Sequence, residues 1–380
     1  MAEGAADVVI VGAGPVGLLT GILLAQEGVT VEIIERRSEA SAHSRAIGIH
    51  PPALAVLAEA GIGTAAIGRG VRIESGEVRC DGRVLGRMSF AEAGAEYPFV
   101  LSLPQRQTEQ LLHRRIAELP GVRLRRGLTM RALQRRADGV EVEIDGTGGT
   151  EIVRAAVVVG ADGARSRVRQ AAGIRWRPSG APQHYVMADY PDETDFGTRA
   201  VLFFERGGVV ESFPLPGGQR RWVAMTDRAW SEASNGDLAG LIAHRTGIRP
   251  RAAEGTVSAF VARQNLADRL VSGRVVLVGD AAHEVSPIGG QGMNLGWLDA
   301  ASLAPAVARV VREGDPAALS GYERMRRGRA RIALAQAGFN MGMGRPASGL
   351  RLAGRNAAVR VLAVPPVRAV FARAFTMRWL

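Results

Sequence analysis

A glycine-rich stretch between residues 279 and 300, GDAAHEVSPIGGQGMNLGWLDA, holds the residues with the clearest potential for chemistry. Asp280 lies near its start, and Gly289, Gly290 and Gly292 come just before an apolar segment that reads as a helix. Glycines open the backbone to a close approach, and the free N–H groups at a helix start stabilise negative charge. The stretch therefore predicts a place where a ligand lies against bare backbone.

A second glycine cluster lies near the N-terminus. The apolar run DVVIV predicts a buried parallel strand, and Gly12, Gly14 and Gly17 follow it in the spacing GxGxxG before an apolar helix. A second strand then ends at Glu35. In this order, Gly12 permits a tight turn, Gly14 lets a pyrophosphate reach the backbone, and Gly17 lets the helix pack closely, while Glu35 is placed to bind a ribose. The pattern predicts a dinucleotide site without choosing between NAD and FAD.

The composition is that of a globular chain able to carry such a site. It has 380 residues, of which 47% are hydrophobic, and this suits one large or two closely associated domains. All 48 basic residues are arginine. Chemistry that requires a lysine, such as a pyridoxal phosphate Schiff base or a P-loop, is therefore excluded.

The charge and the cysteine count exclude further classes. The net charge is +11, but the arginines are scattered among acids and no nucleic-acid-binding motif accompanies them, so we expect no nucleic-acid partner. Cys80 is the single cysteine, so neither an internal disulfide nor a zinc site built on several thiolates can form. We predict no metal site.

The first apolar run is also too short and too turn-rich to be a targeting segment. It has no basic residues ahead of it and it contains the turn Gly-Ala-Gly-Pro, so it reads as a strand and not as a leader. No stretch approaches the ~20 uninterrupted apolar residues of a membrane-spanning helix. We therefore expect a cytoplasmic protein.

Three further segments narrow the choice of dinucleotide. They are residues 44–48 (SRAIG), 103–109 (LPQRQTE), which open a helix, and 157–169 (VVVGADGARSRVR), a buried strand that runs into a polar turn. Together with the two glycine clusters, and in the same order, they resemble the group A flavoprotein monooxygenases, the para-hydroxybenzoate hydroxylase-like family. The resemblance covers roughly residues 5–340 of this chain.

The resemblance implies an α/β fold with a Rossmann-like FAD-binding domain, an inserted antiparallel sheet that holds the substrate, and C-terminal helices. We place the discontinuous FAD-binding domain at residues 1–70, 102–180 and 275–344. The inserted substrate-binding sheet takes residues 71–101 and 181–274, where the βαβ rhythm gives way to alternating strands. The C-terminal helices take residues 345–380.

The resemblance also implies a non-covalent FAD site. The predicted FAD contacts are Gly12, Gly14, Pro15, Gly17, Glu35, Arg36, Arg45, Gln105, Met130, Asp162, Gly163, Asp280, Gly292, Met293 and Asn294. Arg45 and Gln105 would approach the pyrophosphate and ribityl side, and Met130 would meet the adenine through its backbone. Asp162 and Gly163 match a motif that the family links to both FAD and NADPH. Arg45 could instead be a solvated surface arginine, and Asp162 could be only a turn former.

Three residues of the glycine-rich stretch are the predicted catalytic positions, namely Pro287, Gly290 and Gln291. By resemblance, Pro287 lies near the reactive edge of the flavin, and the bare backbone about Gly290 lies against the ring. The helix that starts at Gln291 is predicted to stabilise negative charge on the reduced flavin. His283 sits in the same motif, where we expect a structural role.

Two predicted strands of the inserted sheet supply candidate substrate contacts. Residues two apart on a strand face the same way, so Ser212 and Pro214 share one face and Trp222 lies on the next strand. These three residues line the substrate pocket if that face meets the flavin, although Trp222 could equally be ordinary core. No arginine occurs between Val209 and Pro216 to grip a benzoate, which favours a larger and less charged substrate.

After residue 344 arginines alternate with apolar residues, and Pro365-Pro366 divides this tail into two short predicted helices. The second helix, predicted over residues 367–380, places Val370, Phe371 and Phe375 at helical spacing. Such a basic amphipathic helix could contact a membrane surface. We favour packing against the FAD-binding domain, because short apolar stripes usually face a core.

The resemblance implies an FAD-dependent monooxygenase that consumes NADPH or NADH and O2. Such an enzyme forms a flavin C4a-hydroperoxide and hydroxylates an aromatic or polyketide-like small molecule, as in the tailoring steps of antibiotic biosynthesis. A flavin-dependent epoxidase or Baeyer–Villiger oxygenase of the same fold is an alternative, and so is a non-catalytic FAD-binding protein. A flavin-dependent halogenase is excluded by the missing lysine.

Overall fold

The computed structural model describes residues 6–39, 46–94, 96–230, 233–251 and 256–380. Arg45, a predicted FAD contact, lies outside these residues. The helices, numbered along the chain, are α1 (Pro15–Gln26), α2 (Pro51–Glu59), α3 (Gly63–Ile67), α4 (Gln105–Ala117), α5 (Arg167–Ala171), α6 (Asn235–Thr246), α7 (Gln291–Glu313), α8 (Leu319–Gly344), α9 (Gly349–Leu362) and α10 (Val367–Phe375). Short 3-10 turns lie at Phe90–Ala93, Gly279–Ala281 and Pro316–Ala318.

The strands are numbered in the same way. They are β1 (Val8–Val11), β2 (Val31–Glu35), β3 (Gly48–Ile49), β4 (Val71–Ile73), β5 (Ser75–Cys80), β6 (Arg83–Ser89), β7 (Val100–Ser102), β8 (Val122–Arg126), β9 (Thr129–Arg135), β10 (Val140–Gly146), β11 (Gly149–Ala155), β12 (Val157–Gly160), β13 (Trp176–Pro178), β14 (Gln183–Pro191), β15 (Ala200–Glu205), β16 (Gly208–Leu215), β17 (Gln219–Thr226), β18 (Ser258–Ala262), β19 (Asn265–Ala267), β20 (Val271–Ser272), β21 (Val275–Leu277) and β22 (His283–Glu284).

A six-stranded, mainly parallel sheet organises the first layer, in the order β20-β21-β12-β1-β2-β8. β1 lies at its centre, paired in parallel with β2 and β12. The run VVIV is fully buried because helices α1 and α7 cover the sheet, and this explains why an unbroken apolar run was needed there. The carboxyl end of β1 leads directly into the GxGxxG turn and α1.

A seven-stranded sheet forms the second layer, in the order β18-β14-β17-β16-β15-β5-β6. Its pairs are antiparallel except for β15 and β5, which run parallel, so the predicted antiparallel sheet needs this one correction. One face packs under α6 through a cluster that includes Trp222, Val186 and Leu238. The opposite face looks toward the six-stranded sheet across a cavity.

The predicted fold class is confirmed: an α/β chain with a Rossmann-like sheet, a second sheet and C-terminal helices. Strands of the second sheet come from residues 75–89, 183–226 and 258–262. β20 falls within the predicted substrate segment but pairs with β21 in the first sheet. The domain boundaries themselves remain a prediction.

The C-terminal helices pack on the body of the protein. Phe375 stacks on Phe90 with ring centroids 5.5 Å apart, and Arg368 pairs with Glu92 at 2.8 Å. Helix α10 ends at Phe375, five residues before the end of the predicted helix. Of the helices in the described ranges, none combines the length and the apolar character that a membrane crossing requires.

Candidate cofactor and substrate site

The glycines of the GxGxxG turn differ in whether the fold leaves room for a side chain at their position. A Cβ added at Gly12, whose φ is +109°, would overlap the carbonyl oxygen of Ala161, and one added at Gly17 would overlap the carbonyl oxygen of Gly12. Both glycines are therefore required by the fold itself. A Cβ added at Gly14 would meet no atom of the described residues within 4 Å, because Gly14 borders open cavity.

Glu35, at the end of β2, supports this turn. Its Oε2 accepts a hydrogen bond from the Ala13 N–H at 2.9 Å, and its Oε1 accepts one from the Arg37 N–H at 3.0 Å. Glu35, the residue predicted to bind a ribose, therefore holds the glycine turn through its hydrogen bond to Ala13. The neighbouring Arg36 is exposed.

A cavity of about 410 Å³ lies between the two layers. Nine predicted site residues line it, namely Gly14, Pro15, Gln105, Gly163, Asp280, Pro287, Gly290, Gly292 and Met293. The other described ones do not line it, namely Gly12, Gly17, Glu35, Arg36, Met130, Asp162, Gln291 and Asn294. The structure therefore gathers both glycine clusters and all three further segments around one space, since Ala46, Gln105 and Gly163 also line it.

Asp280 projects into this cavity from the turn after β21. Its side chain is open to the cavity and is surrounded by protein on its other sides. This burial raises the pKa of Asp280 to about 6, while His283 lowers it and Glu284 raises it further. A carboxyl that is open to the cavity at this position is suited to accept hydrogen bonds from hydroxyl groups of a ligand.

The start of α7 is held in place by a small hydrogen-bond network. The Gly290 N–H donates to the carbonyl of Pro287 at 2.9 Å, which closes a turn. The amide of Asn294 donates to the carbonyls of Gly290 and Gly48, at 2.6 and 2.8 Å. The N–H groups of the first turn of α7 have no intrahelical acceptor and face the region of the cavity. Asn294 therefore positions the helix start and does not line the cavity.

His50 lines the cavity and was not recognised from the sequence. Burial lowers its pKa to about 4, against a weaker opposing effect of its hydrogen bond to Gly289, so the ring is neutral. Its Nε2 lies 2.9 Å from the Gly289 carbonyl and must carry the proton, since a carbonyl can only accept. Nδ1 is then a buried acceptor with no partner among the described residues. The one sequence signal that could have identified His50 is its position two residues after the SRAIG segment.

Behind the cavity, a buried carboxylate joins the glycine-rich stretch to helices α7 and α8. Asp299 lies 2.5 Å from His283 Nε2 and 2.7 Å from Arg326 Nε, and it accepts the Gly279 N–H at 3.1 Å. Burial alone would raise the pKa of Asp299, but His283 and Arg326 outweigh it and hold the pKa below its usual range. This network supports the structural role predicted for His283, and no sequence pattern pointed to Asp299 or Arg326.

Asp162 and Met130 lie next to the cavity and not on its wall. Asp162 Oδ2 accepts the N–H groups of Arg167 and Val168, at 2.7 and 3.2 Å, and so caps the start of α5. Its Oδ1 is buried without a partner among the described residues, and burial raises the pKa of this carboxyl. The backbone carbonyl of Met130 accepts a hydrogen bond from Arg167 at 3.3 Å.

The predicted substrate contacts lie on the wrong face of the second sheet. Ser212 and Trp222 point away from the cavity, where Trp222 packs under α6, and Pro214 is absent from the cavity wall. The cavity is lined instead by the residues of opposite parity, Glu211, Phe213, Arg221 and Val223. Both faces of β16 and β17 are buried, so no alternation of apolar and polar residues indicated which face meets the cavity.

Arg221 bears on the expectation that no arginine is available to bind a charged substrate. No arginine lies on the central part of β16, but Arg221 reaches the cavity wall from β17. Its guanidinium is already engaged by Asp189, through contacts of 2.7 and 2.9 Å. A cationic side chain is therefore present at the wall, in a form largely neutralised by its partner.

The residues present fit an FAD molecule. The space beside Gly14 is open to a pyrophosphate, Asp280 offers a carboxyl to hydroxyl groups, and the start of α7 offers unpaired N–H donors. The second sheet closes the cavity with apolar side chains such as Phe213 and Val223. The arrangement thus provides a polar backbone wall and an apolar side-chain wall around one space.

The comparison with known families agrees with this geometry. The chain matches the family described as FAD binding domain over residues 5–337. The chain therefore belongs to this family of FAD-binding proteins, and the resemblance inferred from the motifs is confirmed.

Individual proteins of known name are similar in sequence to this chain. The 6-methylpretetramide 4-monooxygenase of Streptomyces rimosus is 34% identical over 317 residues, which are 80% of this chain and 56% of the relative. Against two Streptomyces rimosus proteins named for anhydrotetracycline oxygenation, the chain spans 66% of the relative's length.

Solved structures resemble the chain over nearly its whole length. The crystal structure of p-nitrophenol 4-monooxygenase from Pseudomonas putida superimposes with a TM-score of 0.88 at 26% identity, covering 98% of each chain. The anhydrotetracycline hydroxylase of Streptomyces rimosus gives a TM-score of 0.82 at 30% identity, covering 98% of this chain and 76% of that one.

Proposed function

We propose that the protein is an FAD-dependent monooxygenase that uses NADPH or NADH and O2 to hydroxylate an aromatic or polyketide-like small molecule. The observation that carries this proposal is the cavity between the two layers, which joins the glycine turn before α1, the Asp280–Pro287 segment and the sheet wall. A dinucleotide alone would not require the sheet wall. The contiguous space suits a cofactor and an organic substrate side by side.

FAD would be held by the backbone wall. Gly14 and Pro15 border the place for the pyrophosphate, Asp280 faces the place for hydroxyl groups, and the segment about Gly290 faces the place for the ring. Bound FAD, reduced by NADPH or NADH, supplies the oxygen activation that no side chain of this protein can supply. The N–H groups at the start of α7 provide fixed dipoles that stabilise negative charge next to them.

The sheet wall would exclude water from the reaction. Phe213, Val223 and Met187 contribute apolar surface to the cavity, and Phe90 and Phe375 contribute more from the other side. Dryness matters because water in such a site favours loss of hydrogen peroxide over transfer of oxygen to the substrate. The side chains thus orient the substrate and protect the oxygen transfer.

The substrate class rests on the relatives and on the character of the wall. The relatives carry the names of 6-methylpretetramide and p-nitrophenol, which are both aromatic. The wall offers aromatic and aliphatic contacts and charges of both signs, from Arg221, which is paired with Asp189, and from Arg263, Glu211, Asp280 and Glu284. Both features favour a neutral or weakly acidic aromatic molecule.

The test measures oxygen incorporation. Purified protein with added FAD is incubated with NADPH, ¹⁸O₂ and a panel of phenols and tetracyclic aromatics, and products are analysed by mass spectrometry. We expect one ¹⁸O atom in a product whose formation matches NADPH consumption. NADPH consumption that yields only hydrogen peroxide with every compound would count against hydroxylation of this class. Oxygen inserted between two carbons or across a double bond would indicate a Baeyer–Villiger or epoxidase reaction.

A further inference from the structure

A second cavity, of about 110 Å³, adjoins the first. The two share wall residues that include Phe90, Glu211, Phe213, Ile288 and Phe375. From this junction the second cavity runs between the outer strands of the seven-stranded sheet and helices α8, α9 and α10. Seven of the predicted FAD contacts line the first cavity, and none of those that the structure describes lines the second.

The wall of the second cavity is almost entirely apolar. Leu202 and Phe204 contribute from β15, Met343 from α8, Leu362 from α9 and Phe371 from α10. Most of the charged side chains in this wall form ion pairs with neighbouring side chains. Glu77 pairs with Arg79 and with Arg87, and Arg368 pairs with Glu92. A space of this kind binds hydrocarbon and not ions.

Glu211 is the exception at the junction. Its side chain faces both cavities and is 4% exposed, and the described part of the chain offers it neither a hydrogen bond nor an ion pair. Burial raises its pKa to about 8, so at neutral pH the carboxyl holds its proton. A protonated carboxyl can both donate and accept a hydrogen bond, and leaving it unpaired in an apolar site is costly.

We infer that the second cavity is a subsite for an apolar extension of the substrate and that Glu211 hydrogen-bonds a neutral hydroxyl or carbonyl group at the junction. This inference rests on the proposed function, because it places the reacting ring in the first cavity. The substrate is then an elongated aromatic molecule. Its polar group meets Glu211, and its alkyl or fused-ring extension runs beneath the C-terminal helices.

Two features support this assignment: the two cavities are continuous, and a polar side chain lies at the point where they meet. The extension can leave the first cavity at the junction, because the second cavity opens there, while the predicted cofactor contacts line the loop wall on the other side. Among the described residues that line both cavities, Glu211 has the one polar side chain, and the space beyond it offers hydrocarbon contacts. A single molecule with one polar group and an apolar extension satisfies both.

The probes are 4-alkylphenols, from 4-methylphenol to 4-hexylphenol, and the matching alkylbenzenes without the hydroxyl group. Dissociation constants are measured by calorimetry with the full-length, FAD-loaded protein, so that binding is observed without turnover. We expect affinity to rise about fourfold for each added methylene until the second cavity is full. We expect each phenol to bind about tenfold more tightly than its alkylbenzene.

Substitutions at two positions, Glu211 and Leu202, separate the two parts of the inference. Glu211→Ala should remove the tenfold preference for the phenol, and Glu211→Gln, which keeps a donor and an acceptor, should retain most of it. Leu202→Trp fills the second cavity and should abolish the gain with chain length while 4-methylphenol still binds. Leu350→Trp, at a side chain that is 93% exposed, is the matched control and should behave as the wild type.

The inference is overturned if affinity is independent of chain length, if Leu202→Trp leaves the length dependence intact, or if Glu211→Ala weakens phenols and alkylbenzenes equally. These results would not bear on oxygen transfer, which the ¹⁸O experiment measures separately. Conversely, a protein that binds the series as expected and never hydroxylates would retain the subsite and lose the proposed function.

Discussion

The two walls of the cavity would recognise a ligand by different means. The loop wall, built from the turn before α1 and the segment before α7, presents backbone groups, glycines and the carboxyls of Asp280 and Glu284. The sheet wall, built from β14, β16 and β17, presents side chains such as Phe213 and Val223. Backbone recognition is suited to a ligand that stays the same, whereas side chains can change by mutation without disturbing the fold. The difference suggests that the loop wall sets the cofactor and the sheet wall sets the substrate.

The largest effects are expected within the loop wall, where two glycines of one motif should respond in opposite ways. Gly17→Ala places a Cβ against the Gly12 carbonyl and should lower the free energy of unfolding by about 5 kcal/mol or more. Gly14→Ala meets only open cavity, so the melting temperature of the FAD-free protein should stay unchanged. The same substitution should weaken FAD binding at least about tenfold, because the Cβ enters the place for the pyrophosphate. Melting curves and flavin-fluorescence titrations measure both.

Loss of FAD binding together with a large loss of stability in Gly14→Ala would contradict this distinction. An unchanged FAD affinity in the same variant would remove Gly14 from the cofactor site.

The next effect concerns the network behind the loop wall. Asp299→Asn leaves Arg326 buried without a carboxylate, which should cost about 3–5 kcal/mol in the free energy of unfolding. It should also weaken FAD binding, because Asp299 holds the Gly279 N–H next to Asp280. Denaturant unfolding measures the first effect, and Asp138→Asn, at an exposed position, is the control. A stability equal to that of the control would show that the network is dispensable.

Two aromatic residues test the assignment of faces in the sheet wall. Trp222→Ala should lower the free energy of unfolding by about 3 kcal/mol, because this side chain is 1% exposed in the core under α6. Phe213→Ala should change stability much less and should raise KM or the fraction of NADPH lost as hydrogen peroxide, since Phe213 lines the cavity. Denaturant unfolding measures the loss of stability in each variant. Steady-state kinetics with a substrate that is turned over measures the change in KM and in hydrogen peroxide release. The reverse pattern would restore the face predicted from the sequence.

The smallest effect is a pH dependence of stability from Glu211. Burial raises its folded-state pKa to about 8 from the usual 4.5, so the folded protein retains a proton that the unfolded chain releases. Stability is then fully present below pH 4.5 and declines as the pH rises toward 8, at up to about 1.4 kcal/mol per unit. Tyr185 lies within electrostatic range of this carboxyl, and burial raises the pKa of Tyr185 well above that window.

Glu211→Gln removes this titration. We therefore expect denaturant unfolding at pH 5, 6.5 and 8 to show the Gln variant gaining stability relative to the wild type as the pH rises. A constant difference across the three pH values would show that Glu211 is ionised or solvated in the folded protein.

The sequence predicted the two walls with unequal success for a physical reason. Around α1, glycine spacing and the order of strand and helix encode backbone geometry directly, so the elements followed from the pattern. On β16 and β17, α6 buries one face and the cavity covers the other, and the alternation that reveals a face disappears. Contacts such as Asp299 with Arg326, 27 residues apart, depend on how α7 and α8 pack, which local patterns do not encode.

The most direct test of the central claim is the visible spectrum of the purified protein, recorded with added FAD, after anaerobic NADPH and again after air. We predict a flavin band that bleaches with NADPH and returns in air as oxygen is consumed. A bound flavin that NADPH never bleaches, even with candidate aromatics present, would contradict the proposed activity. A protein that binds no flavin would contradict the assignment of the cavity itself.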